Sequence, residues 1–155
     1  MSRLLYTTEE RRRRDASRWT LVQGVLAPLQ LAVMVVSAWL VFRYLERGVG
    51  YEVAHASVVL KTLVLYVMMV TGSLWEHDVY GKYLFVEAFF WEDVVSMGVL
   101  ALHTAYLAAA TFAWLEPRAL MVLALVAYAA YAVNAAQFLL KLRQARRGPT
   151  AEAVS

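Results

Sequence analysis

Charged residues in this chain punctuate long apolar stretches instead of alternating with them, and the length of the stretches decides what they can be. Trp19 to Phe42 runs 24 residues without an Asp, Glu, Lys or Arg, and Val53 to Trp75 runs 23 with Lys61 as its one interruption. Val94 to Leu115 and Ala119 to Leu140 add 22 uncharged residues each. About 20 apolar residues in a helix cross the hydrocarbon core, so each run predicts a transmembrane helix. Lipid offers the backbone no hydrogen-bond partner, and the sequence lacks the alternation of a closed barrel, so the spans are helices. The reading is an all-α, four-helix polytopic membrane domain over residues 1–155. Its spans lie at about 19–42, 53–75, 94–115 and 119–140, with a charged segment over 1–18 and a disordered tail over 147–155. Pro28, four residues after Gly24, predicts a loosened turn in the first span. Ala129, Ala132, Ala135 and Ala136 predict close helix packing in the fourth.

Orientation comes from the basic residues. Of the 15 Lys and Arg, Arg3, Arg11, Arg12, Arg13, Arg14 and Arg18 precede the first span, and Lys141, Arg143, Arg146 and Arg147 follow the last. The first and third loops hold only Arg43, Arg47 and Arg118, so the positive-inside bias places both termini and the second loop in the cytoplasm. The run over 11–14 then reads as a topology determinant and anionic-lipid anchor, and the net charge of +3 gives no cause to expect nucleic acid. An apolar content of 61%, against roughly 45–50% in soluble domains, agrees with a bilayer as solvent. The absence of cysteine excludes disulfides, thiolate metal sites, iron–sulfur clusters and cysteine nucleophiles. The first span is longer than the core of a signal peptide and is expected to be retained.

Candidate chemistry gathers in the second loop and at the start of the third span, residues 75–93, where five carboxylates meet eight aromatic rings. Glu76, His77 and Asp78 read either as a solvated turn or as part of a site. Glu92 and Asp93 follow Phe89, Phe90 and Trp91 and open an uncharged span, which sets them at the hydrocarbon boundary where charge is expensive. They can also simply complement the helix dipole. At 100° per residue Glu92, Ser96, Val99, His103 and Tyr106 share one stripe, with His103 about 16 Å deeper than Glu92. Lys61 lies about 12 Å inside its own span at a similar height, with no acid at that level; a lowered pKa, a bound anionic ligand group or hydrogen bonds to Gln30 and Asn134 are the ways to house it. P-loop, dinucleotide, zinc-helix and nucleophile-elbow motifs are missing, which leaves acid–base chemistry on an apolar substrate. In such chemistry a desolvated carboxyl holds a proton to donate while an ionised neighbour serves as base, roles that Glu92 with Asp93 or Glu76 can divide.

Between Ser17 and Leu142 the chain carries WTLVQGVLAPLQ from Trp19, ASVVLKTLVLY from Ala56, GKYLF from Gly81, FFWEDVVSM from Phe89, LALHTAYL from Leu100 and VNAAQFLLKLR from Val133. With these motifs in order, the stretch closely resembles the 3-vinyl bacteriochlorophyllide hydratase family of bacteriochlorophyll biosynthesis. It implies addition of water across the C3 vinyl group of a chlorophyllide or bacteriochlorophyllide, in a bacterial inner or intracytoplasmic photosynthetic membrane. The implied partners are the macrocycle, water and membrane lipid, without nucleic acid. No cofactor is implied, since magnesium belongs to the substrate, although His103 or a carboxylate is a candidate ligand to it. Glu92 or Asp93 is expected as proton donor, its neighbour or Glu76 as base, and His103 and Lys61 as an interior polar anchor. Trp75, Phe89, Phe90 and Trp91 are expected to stack on the macrocycle and Lys82 to meet its carboxylate. Small helical hairpins of this kind also carry an expectation of self-association. A noncatalytic tetraspan pigment-binding or assembly protein would use the same aromatics with His103 as axial ligand. A proton-coupled carrier built on Lys61 and His103 would need a paired acid that the spans lack.

Overall fold

The computed structural model describes residues 4–154, with side chains over 4–146. A short helix α1 (Thr8–Ala16) precedes four long ones: α2 (Arg18–Arg47), α3 (Tyr51–Tyr80), α4 (Phe90–Thr111) and α5 (Pro117–Val154). A 3-10 turn, Glu87–Phe89, leads into α4. All four long helices are long and apolar enough to cross a membrane. They pair as two hairpins, α2 on α3 and α4 on α5, so both chain ends lie at one end of the bundle.

Helix limits differ from the limits of the apolar runs, because a run stops at a charge whereas a helix stops where its backbone leaves the right-handed region. Helix α3 continues past Trp75 to Tyr80 and is closed by Gly81, whose φ of 84° suits a residue without Cβ and whose N–H returns to His77 O at 2.9 Å. Glu76, His77 and Asp78 therefore lie in the last turns of a helix, Glu76 buried and His77 and Asp78 exposed. Helix α4 starts earlier and ends at Thr111, short of the expected Leu115. Helix α2 continues unbroken through Pro28.

The segment 1–18, expected only as charged, contains α1. Thr7 and Glu10 close a reciprocal capping box, with Glu10 N–H bonding Thr7 Oγ1 at 3.1 Å and Thr7 N–H bonding Glu10 Oε1 at 2.9 Å. The segment straps across the end of α3: Ser17 Oγ donates to Asp78 Oδ2 at 2.7 Å, and Tyr80 Oη donates to Leu5 O at 2.8 Å. Tyr6 is buried between Trp75 and Tyr80. At the tail, the backbone of α5 runs to Val154; the expected disorder over 147–155 falls beyond the described side chains.

Inside the bundle, Val41, Ala54, Val58, Tyr106, Leu120, Met121 and Ala124 pack the loop end, and Leu65, Val99 and Tyr131 pack the middle. Helix α5 turns Ala124, Ala127, Tyr128, Tyr131 and Asn134 inward, whereas Ala129, Ala132 and Ala136 face out. That differs from the alanine packing face expected. Tyr128 and Asn134 carry polar atoms that need interior partners, and Ser37 (2.6 Å from Tyr128 Oη) and Ser96 (2.9 Å from Asn134 Oδ1) provide them. These bonds fix the rotation of the helix.

Midway, one ammonium collects a residue from each long helix. Lys61 of α3, fully buried, donates from Nζ to Gln30 Oε1 of α2 and to His103 Nε2 of α4, both at 3.2 Å. Its Nζ also lies 3.9 Å from the centre of the Tyr131 ring of α5. His103 Nδ1 sits 2.8 Å from Val99 O, so it carries the ring proton and leaves Nε2 as acceptor for the lysine. Gln30 is thus a partner of Lys61, as expected, and Asn134 is not.

Candidate functional site

At the end that carries the termini, three carboxyl groups are buried within one cluster. Glu76 is 4% exposed, Glu92 5% and Asp93 4%, values rare for acids unless each has a partner. Glu76 comes from the last turns of α3 and the other two from the first turn of α4. The 3-10 turn buries Ala88 and Phe89, and the chain then enters α4 with Glu92 and Asp93 facing inward.

Partners divide the three acids. Glu92 Oε1 makes a 2.8 Å ion pair with Lys141 Nζ of α5, and the same ammonium donates to Ala88 O at 2.8 Å. Asn134 Nδ2 donates to Glu92 O at 2.9 Å, and Ser96 Oγ lies 2.8 Å from the same carbonyl. Asp93 Oδ2 accepts the Phe85 N–H at 2.9 Å. Asp93 also interacts with the carboxyls of Glu76 and Glu92. Two neighbouring carboxyls are eased by a proton between them, an arrangement open to Glu76 and Asp93.

Two oxygens remain. Glu76 Oε2 and Glu92 Oε2 are buried without a hydrogen-bond partner among the described residues. A buried acceptor left in that state costs about 1–3 kcal/mol, so native proteins retain it where something else binds. One cation, Lys141, stands among three acids, and protons must balance the rest.

Around this cluster the aromatic residues separate into two sets. Trp75 and Phe89 pack with Tyr6, Tyr80 and Phe138 into an interior box, with Trp75 Nε1 donating to Thr20 Oγ1 at 2.9 Å. Phe89 is 1% exposed, so a macrocycle cannot stack on it in this arrangement. Phe90 and Trp91 instead point outward, 42% and 69% exposed. Lys82 is exposed on the loop 81–86. His103 and Lys61 lie with Gln30 in the middle of the bundle, away from the acids. Both His103 nitrogens are engaged, which leaves no lone pair there for a substrate's magnesium.

Sequence periodicity places Glu92, Ser96, Val99, His103 and Tyr106 on one face, and all five are buried. Lys141 was read only as part of the basic flank. Its one available signal was its position, the first charge after the fourth span and on the same side of the bundle as Glu92.

Two curated relatives share most of the chain. A 2-vinyl bacteriochlorophyllide hydratase of Cereibacter sphaeroides is 59% identical over 145 residues, covering 93% of this chain and 89% of its own. A protein of the same description from Rhodobacter capsulatus is 60% identical over 142 residues, covering 92% and 82%. No solved structure matches the chain. A family model described as 2-vinyl bacteriochlorophyllide hydratase matches residues 6–144, and the chain belongs to that family.

Proposed function

We infer that this membrane protein is a hydratase of bacteriochlorophyll biosynthesis. It adds water to the vinyl group of a chlorophyllide or bacteriochlorophyllide, numbered 2 in the family's description and C3 above, and gives a 3-(1-hydroxyethyl) product. The family supports the reaction. One observation supports the mechanism: three acids are buried together, Glu76 beside Asp93, and Glu92 in an ion pair with Lys141.

Hydration of a vinyl group starts with a proton delivered to its terminal carbon. The positive charge then rests on the inner carbon, where the conjugated macrocycle spreads it. The buried Glu76–Asp93 pair is placed to hold that proton. Water attacks the inner carbon and forms the C–O bond, and a base takes its second proton. Glu92, ion-paired to Lys141, is that base, and its Oε2, without a hydrogen-bond partner among the described residues, is the atom that receives the water. Transfer of the proton gained by Glu92 back to the pair completes the cycle and resets the site.

Localisation in the bacterial inner membrane, with both termini and the acid cluster toward the cytoplasm, follows from the basic flanks. The decisive experiment incubates membranes that contain this chain alone with a 3-vinyl bacteriochlorophyllide and follows products by mass. Gain of one water is expected. A macrocycle that binds and returns unchanged over a range of pH would remove the hydratase reading.

A further inference from the structure

The three acids are sealed, so a substrate can reach them only if some covering element moves. Residues 81–86, between α3 and the 3-10 turn, form the cover tied most directly to an acid. Asp93 Oδ2 holds the Phe85 N–H at 2.9 Å, and Phe85 sits at φ 59°, a left-handed conformation that is strained for a bulky aromatic residue. The loop is pinned further by Ser73 Oγ, which donates to Tyr83 O at 2.9 Å, and by the His77 ring stacked on Tyr83 at 4.2 Å. Opening would break few contacts, release the strain at Phe85 and free Asp93 Oδ2.

Outside the loop lies a shelf of exposed aromatic faces and edges. Phe85 is 41% exposed, with its ring centre 6.0 Å from that of Phe90 at 54°, and Phe90 and Trp91 meet edge to face, 5.2 Å apart at 86°. Glu92 and Asp93 follow Trp91 directly, so the shelf is the outer side of the wall whose inner side carries the acids. Tyr6 and Phe89, by contrast, are buried, each packed edge to face against the partly buried Trp75.

The geometry points to a sideways route from the bilayer: the flat macrocycle docks on Phe85, Phe90 and Trp91, and the loop 81–86 is a gate latched by the Asp93–Phe85 bond. This rests on the hydratase reading for the identity of the occupant. The gate requires only that a planar apolar ligand reach the acids. A route from the aqueous end would instead require the capped and hydrogen-bonded α1 strap to lift.

Because the chain has no cysteine, a single engineered pair can lock the gate. H77C/Y83C, at the stacked rings, is bridged with a short reducible bis-thiosulfonate and the bridge is verified by mass. The expected result is a loss of at least about tenfold in kcat/KM on bridging, regained on reduction, as a gating step demands. Full activity in the bridged protein overturns the gate. A second arm replaces the shelf by F90L/W91L, which keeps an apolar face to lipid. The comparison is F112L/W114L, an exposed stacked pair beyond α4. The first is expected to raise KM and the dissociation constant of 3-vinyl bacteriochlorophyllide about tenfold with kcat within about threefold, and the second to change neither. Equal effects, or none, reduce the shelf to an interfacial belt and overturn docking. Binding without turnover by the unmodified chain sinks the hydratase reading and leaves the shelf testable by binding alone.

Discussion

Two buried polar clusters share this bundle, and they are satisfied to different degrees. Around Lys61 the lysine donates to Gln30 and His103 and faces the Tyr131 ring, and His103 places its own proton on Val99 O. Around Glu92 the count does not close: Glu76 Oε2 and Glu92 Oε2 are partnerless, and three acids face one ammonium. A closed set of bonds supports a fold, whereas an open one in a sealed place is kept for a molecule that completes it. Charge within the membrane thus marks both clusters, and only the state of their hydrogen bonds distinguishes a strut from a reactive centre.

The largest expected effect is at the open cluster. Glu92→Gln and Asp93→Asn should each lower kcat about 10²–10⁴-fold while changing macrocycle binding only a few-fold, measured by steady-state kinetics and equilibrium binding. Parallel losses in both quantities would make these acids structural. Next comes Lys141→Met, expected to lower kcat about 10–100-fold, to be largely rescued by Lys141→Arg, and to add nothing in a Glu92→Gln background. Independent, multiplying losses would separate the lysine from Glu92. Lys61→Met is expected to spare kcat within about threefold but to destabilise the detergent-solubilised protein by about 1–3 kcal/mol, since Gln30 and His103 lose their donor. A kcat collapse there would erase the distinction between the clusters. Smallest is Tyr106→Phe, which removes the 2.7 Å bond to His55 Nδ1 and should cost about 0.5–1.5 kcal/mol of stability without a kinetic change.

The sequence pattern made some of this legible. Uninterrupted apolar length located the four spans, and the 100° period of α4 brought Glu92, Ser96 and His103 to one face, because both are properties of a single helix. Pairings between helices were not available that way. Whether Lys141 or Arg143 meets Glu92 depends on how far α5 slides along α4, and no periodicity records that sliding. The fate of Glu76 turned on a backbone event, since the run of apolar residues ends at Trp75 while hydrogen bonding continues to Gly81. Phe89 and Phe90 are adjacent aromatics with opposite fates, one inside and one outside, because a 3-10 turn gives way to an α-helix between them. The Thr7–Glu10 capping box was written plainly in the sequence and announces α1, but its charged surroundings read only as topology.

The lysine that touches all four long helices also bears on how the chain is made. As the first hairpin enters the bilayer, Lys61 brings its ammonium into hydrocarbon with Gln30 as its sole partner. His103 and Tyr131 arrive only when the second hairpin docks. The first hairpin alone thus leaves this polar group short of two partners, and docking of the second hairpin supplies them, so the two halves of the chain are tied together by one side chain.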